Sequence, residues 1–258
     1  MSATEKTIIL VTGSSDGIGA QTARNLAVQG HAVVAHARSV ARAEAARAVL
    51  PPGMPIVIGD LSLQSEVRSL AEQASRLGRI GVIVHAAGTA AGPARTVTRD
   101  GVETTFAVNT LAPHLLTKLL SPSAPSRVVF VASDSFRHSR LDLTDIELLH
   151  GWSPALAYAN SKLAVSALAM AWARHLPNAL VNALHPGWVR TKMSPAEAPL
   201  SVAEGADTPT WLAASNDPAA LVTGEFFTNR KPDHFNPQVF DQAAQDAVFT
   251  ACEALIRA

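Results

Sequence analysis

Cysteine is nearly missing from this chain: Cys252 stands alone, which excludes an intrachain disulfide framework and suits a reducing compartment. Tyrosine also occurs once, so any chemistry that needs a phenol falls to Tyr158. Charge is sparse and balanced, with 21 Lys and Arg against 21 Asp and Glu and no basic block. That balance lacks the electrostatic footprint of a nucleic-acid or anionic-membrane binder. No apolar run approaches the ~20 residues of a bilayer span. The opening MSATEKTIILVTG passes from a polar tip into a strand pattern without a signal-peptide profile. The expectation is a cytoplasmic protein without a membrane or nucleic-acid partner.

What the chain has is apolar residue in quantity, 48% of 258 positions, enough for a substantial core. Short β-branched or aliphatic runs recur at Thr7–Val11, Ala32–Ala35, Pro55–Ile58, Val82–Val84, Arg127–Val131 and Leu180–Leu184. Alanine-rich, helix-favouring segments lie between them, at Gly19–Gln29, Val40–Leu50, Ser62–Leu77, Val102–Leu120 and Leu156–His175. Near-continuous apolar strands separated by helices predict a parallel sheet covered on both faces. The reading is one doubly wound α/β domain over residues 1–258, with ligands bound beyond the carboxyl ends of the strands.

The first strand end carries Gly13-Ser14-Ser15-Asp16-Gly17-Ile18-Gly19. Glycines there permit a tight turn and let the backbone approach a pyrophosphate, which the following helix N-terminus holds. The flanking strand and helix give this loop the context of a nucleotide site. Further on, Tyr158 and Lys162 stand four apart in AYANSKLA, on one face of a predicted helix. A phenol with an ordinary pKa of about 10 needs help to exchange a proton at neutral pH. Alone, the pair is equally the pattern of a structural ring with a neighbouring lysine.

With that glycine spacing ahead of Tyr158 and Lys162, the chain resembles the short-chain dehydrogenase/reductase family over nearly its whole length. The long segment between Ser133 and Tyr158, the SKLA after the tyrosine and KPDHFNP near the C-terminus most resemble its retinol dehydrogenase-like branch. The resemblance implies a single Rossmann-type, NAD(P)-binding domain. It implies a catalytic set of Asn109 in TTFAVNTLAPHLL, Ser133 in RVVFVASDS, Tyr158 and Lys162. It implies cofactor contacts from Gly13, Ser15, Asp16, Gly17, Ile18 and Gly19, from Ala87 and Gly88 after the fourth strand, and from Tyr158 and Lys162. HPGWVRT would add Pro186, Gly187, Val189 and Thr191 near the nicotinamide.

Several positions depart from the family or stay open. His85-Ala86-Ala87-Gly88 replaces the usual asparagine-asparagine-alanine-glycine, and His85 reads as a structural histidine. Pro113 lacks an N–H for the carbonyl of Asn109, which would leave that carbonyl free to hold a relay water if the helix continues. Arg38, where NAD-dependent relatives keep an acid nearby, suits a 2′-phosphate, whereas Asp16 opposes it. NADP is therefore preferred and NAD remains possible. Asp60-Leu61 resembles the adenine contact, with Asp60 also a candidate helix N-cap. No metal is expected from the histidine spacing. Phe136, Trp152, Trp188, Met193 and Phe227 are candidates to line an apolar pocket for a bulky carbonyl or alcohol. Self-association through the long helices is open, as is a sensor protein that binds nucleotide without catalysis. A sensor has no need of Asn109, Ser133, Tyr158 and Lys162 together.

Overall fold

The apolar runs become strands because both of their faces are covered. The computed structural model describes residues 7–194 and 196–256; the polar tip at positions 1–6 lies outside them. Strands β1 (Ile8–Val11), β2 (Ala32–Ala37), β3 (Ile56–Ile58), β4 (Ile80–His85), β5 (Arg127–Val131), β6 (Leu180–His185) and β7 (Phe226–Thr228) pair in parallel. The two-residue β8 (Lys231–Pro232) closes one edge antiparallel to β7. Their order, β3-β2-β1-β4-β5-β6-β7-β8, is that of a doubly wound sheet, with the order reversing between β1 and β4.

Side chains alternate along the strands, so β1 to β7 feed two cores. Ile8, Leu10, Val34, Ile83, Val128, Phe130 and Val181 face one core; Ile9, Val11, Val33, Val84, Val129 and Leu184 face the other. The second core is covered by α1 (Gly17–Val28), the short α2 (Val40–Ala46) and, from far along the chain, α8 (Asp207–Ala214) beyond the four-residue α7 (Val202–Gly205). The first is covered by α3 (Gln64–Arg76), α4 (Thr104–Phe106), α5 (Ala112–Leu120), α6 (Pro154–His175) and α9 (Gln242–Leu255). Phe106 and Phe130 are fully buried there, each worth ~2–3 kcal/mol in apolar surface removed from water.

The long helix predicted over 102–120 is continuous in path but not in winding. Between α4 and α5 residues Ala107–Leu111 form a π turn, and the Ala112 N–H reaches back to the Ala107 carbonyl. Pro113 follows at once. It has no N–H for the Asn109 carbonyl, so the helix widens where a regular bond is impossible.

One expectation is corrected here. Asp60 does not cap α3, which begins four residues later with Leu63 at the N-cap position. The Asp60 carboxylate instead accepts the Ser62 N–H at 2.9 Å, and Asp100 accepts the Gln64 N–H at 2.8 Å. One face of α6 is covered by α9. Phe249 stacks on His175 at 4.2 Å and meets the edges of Trp172 and His114 at 5.3 and 4.8 Å. Glu253 then receives hydrogen bonds from His114 at 2.8 Å and Lys118 at 2.5 Å.

Candidate active site

The carboxyl ends of β1 to β6 converge on one crevice, and the glycine loop forms its floor. A Cβ on Gly13 would lie 2.5 Å from the Ala87 Cα, and one on Gly19 would lie 2.5 Å from the Gly13 carbonyl oxygen. Only glycine lets the loop, α1 and the end of β4 meet this closely. The loop is also tied from below. The Gly13 N–H donates to His36 Nδ1 at 2.9 Å, and His36 Nε2 donates to the Gly59 carbonyl at 2.8 Å. The Ser14 hydroxyl accepts the His36 N–H at 2.7 Å. Burial holds the His36 pKa below the ordinary histidine value, against the opposing pull of the Gly59 carbonyl and Asp60. The imidazole is thus neutral, with its one proton on Nε2. Sequence reasoning passed over His36, because a histidine inside an apolar run signals nothing until its two partners are seen.

At the mouth of the loop Asp16 caps α1, accepting the Gly17 N–H at 2.8 Å. Its carboxylate also pairs with Lys192 at 2.5 Å, which first among several effects holds its pKa below the usual range. Lys192 belongs to the loop after β6, directly beyond Thr191. Ala37 ends β2 buried, and Arg38 follows it exposed, with no partner among the described residues. Leu61 and Val189 are buried, so their side chains serve packing.

The proton-handling groups sit on the opposite wall. Ser153 caps α6 through the Leu156 N–H at 3.3 Å, with Pro154 in the first turn, and this start fixes where Tyr158 and Lys162 emerge. Lys162 is buried; its Nζ donates to the Val131 carbonyl at 3.0 Å and lies 5.9 Å from the centre of the Tyr158 ring. Burial pushes its pKa down to about 8. Tyr158 is half-buried at the end of β5, where desolvation raises its pKa, a hydrogen bond from Ser133 opposes the rise, and the Asp134 charge adds to it. The phenol is therefore held above its ordinary value. The Lys162 ammonium, turned to the Val131 carbonyl, does not offset the rise.

Asn109 is committed on every side-chain atom. Its Oδ1 accepts the Thr89 N–H at 2.8 Å, and its Nδ2 donates to the Thr89 carbonyl and to Ser161 Oγ, both at 2.9 Å. Ser161 and Thr110 tie the π turn to α6, the latter through the Ser161 carbonyl at 2.9 Å. A Cβ on Gly88 would lie 3.2 Å from Lys162 Nζ and 3.4 Å from Asn109 Oδ1, so these three positions meet at one point. His85, beside them, is structural: it bonds Thr117 at 2.8 Å, stacks on Phe130 at 4.7 Å, and burial drops its pKa to about 3.

Of the aromatic pocket candidates, Phe136 and Phe227 are fully buried in the two cores and do not line a pocket. Trp152 bonds Glu103 at 3.4 Å. Trp188 and Met193 are exposed on the loop after β6. His185 ends that strand with Nε2 3.5 Å from Asp134, and burial lowers its pKa.

Residues 7–199 match a family model described as short chain dehydrogenase. An uncharacterized oxidoreductase of Emericella nidulans is 38% identical over 250 residues, covering 95% of this chain and 95% of its own. Retinol dehydrogenase 14 of Mus musculus is 32% identical over 286 positions, covering 96% of this chain and 85% of its own. Among solved structures, a blue fluorescent protein from a metagenomic library, in complex with NADPH, superposes with a TM-score of 0.71 at 26% identity over 86% of this chain and 96% of that one.

Proposed function

The chain belongs to the short-chain dehydrogenase/reductase family of oxidoreductases, and from that premise we propose that it interconverts a carbonyl and an alcohol with NADP(H), Tyr158 acting as general acid and base. The observation that carries the reading is the meeting of Ser133, Tyr158 and a buried Lys162 on the wall opposite a phosphate-ready glycine loop. The cradle fits a dinucleotide: the helix mouth offers backbone donors, Gly13 and Gly19 let α1 and the end of β4 close on the loop that would hold the phosphates, and Arg38 is free for a 2′-phosphate. The NADPH-bound structural neighbour supports that cofactor. When bound, the nicotinamide supplies or accepts the hydride.

The rest is done by the chain. Tyr158 gives its proton to the substrate oxygen in reduction and takes it back in oxidation. Desolvation keeps that proton on the phenol until charge develops on the oxygen. Ser133 orients the same oxygen by a hydrogen bond. Lys162 would hold the ribose hydroxyls of a bound cofactor, and its ammonium lies 5.9 Å from the centre of the Tyr158 ring. Because the Asn109 side chain is fully engaged, its part in a proton relay is played by the main-chain carbonyl that Pro113 cannot reach. The exposed Trp188 and Met193 support an apolar or bulky substrate.

NADPH and NADH oxidation against a panel of bulky aldehydes and ketones tests this. NADPH is expected to be favoured by about tenfold or more in kcat/KM, and Arg38→Glu is expected to erase the preference. Preference for NADH, or binding of NADPH with no turnover on any of the panel, would overturn the reading.

His36 gives a separate expectation. His36→Leu strands the Gly13 N–H and the Gly59 carbonyl, each an unpaired buried group costing ~1–3 kcal/mol. It should lower the melting temperature and raise the KM for NADPH about tenfold or more, with kcat at saturation changed by less than about threefold. His36→Gln, which can restore one of the two bonds, should fall between Leu and wild type in both measurements.

A further inference from the structure

We propose that Lys192 is a specificity-determining residue: by pairing with Asp16 it makes a glycine loop that carries an acid acceptable to a phosphate-bearing dinucleotide. This rests on the cofactor reading above. Asp16 already supplies an anion to the mouth of α1, at the Gly17 N–H, where the phosphates are to lie. A bare carboxylate there opposes each incoming phosphate, and the opposition grows with the charge of the nucleotide. Lys192 removes it with an ammonium 2.5 Å from the carboxylate, and Arg42 adds a weaker positive influence.

The lysine does not reach this place by chance of a mobile side chain. Its loop is braced from within: the Thr191 N–H donates to Ser194 Oγ at 2.9 Å and the Met193 N–H to Thr191 Oγ1 at 3.2 Å. The Arg190 guanidinium donates to the Ala198 and Pro199 carbonyls, both at 2.7 Å. The Thr191 methyl stands 3.6 Å from where a Gly17 Cβ would be, so the loop touches the helix mouth independently of the ion pair. In the sheet β4 and β5 lie between β1 and β6. The pair therefore bridges the loops that follow β1 and β6, across the ends of the two strands between them. Both side chains are substantially exposed, and such pairs contribute little to stability. What the pair changes is the charge that an entering nucleotide meets.

The test is a double-mutant cycle on dissociation constants, read by calorimetry with NADPH and with NADH. Lys192→Gln is expected to weaken NADPH about tenfold and NADH, with fewer phosphate charges, about threefold. Its melting temperature should stay within about a degree of wild type, and the deficit should shrink at high salt. Asp16→Asn keeps a capping side chain and should bind NADPH at least as tightly as wild type. The double variant should return to within about twofold of wild type. An unchanged Lys192→Gln variant overturns the proposal. So does a double variant as weak as Lys192→Gln, which would put the ammonium on the phosphate itself. Wild-type protein that binds neither nucleotide overturns the cofactor reading and the proposal with it, whereas normal NADPH binding without a Lys192 effect overturns the proposal alone.

Discussion

Tyr158→Phe is expected to lose turnover by ~10²–10⁴-fold, the range a positioned general acid contributes, while its NADPH dissociation constant stays within about twofold of wild type. The substitution removes one oxygen and leaves the ring where it packs, so the melting temperature should hardly move. No second phenol exists to replace it. Ser133, which hydrogen-bonds the phenol, would still hold the substrate oxygen but has no acidic proton to give at neutral pH. Single-turnover NADPH oxidation is the measurement, since it separates the chemical step from product release. A variant that kept more than about a tenth of the wild-type rate would remove Tyr158 as the acid. Ser133→Ala should cost roughly 10²-fold, the loss of one donor to a developing oxyanion.

Lys162→Met is expected to abolish activity and, in the cofactor-free protein, to raise stability. Lys162 is buried with its pKa depressed to about 8, so at pH 7 the fold carries a charged group away from water. A depression from the ordinary lysine value of 10.5 to about 8 corresponds to up to ~3 kcal/mol of unfavourable charge burial. The Val131 carbonyl loses a donor in the variant, returning ~1 kcal/mol. The net gain of ~1–2 kcal/mol should raise the melting temperature by roughly 2–8 °C. The sign with pH follows from which state binds more protons. Below about 8 both states are protonated and the full penalty stands. Between about 8 and 10.5 the folded protein gives up the proton first, so the penalty fades as pH rises. The advantage of Lys162→Met should therefore be largest at pH 7 and smaller at pH 9.5 in chemical denaturation. A methionine variant less stable than wild type at both pH values would show that the lysine is no burden to the fold.

The sequence made the sheet legible wherever the code was uniform. Arg127–Val131 matches its strand at both ends because β-branched residues run up to a polar boundary on each side. β4 was read short, since Gly81 and His85 are poor strand signals, yet Gly81 is passed over as a bulge inside the strand and His85 pairs with Phe130. β7 and β8 have three and two residues, too few to separate from loop, and the pairing of β7 with β6 is set by distant chain. Asp60 failed as a cap because Asp100, forty residues away, took that work. In the site, the order of motifs pointed to Ser133, Tyr158 and Lys162, since family spacing is a property of the chain. His36 and Lys192 stayed hidden because their meaning lies in partners 23 and 176 positions off in sequence. Phe136, three residues after Ser133, turns into one core, and Phe227 turns from its strand into the other.

The docking of α9 on α6 also sets an order in time. The ribosome makes α6 well before the helix that covers it, so the apolar flank around Trp172 waits for Phe249, Val248 and Cys252 to be synthesised. Until then the helix bearing Tyr158 and Lys162 has a face exposed to solvent and to other nascent chains, the state in which a folding protein is most prone to aggregate. A chain halted before Gln242 would hold every residue assigned to the chemistry and still lack the cover for the helix that bears two of them.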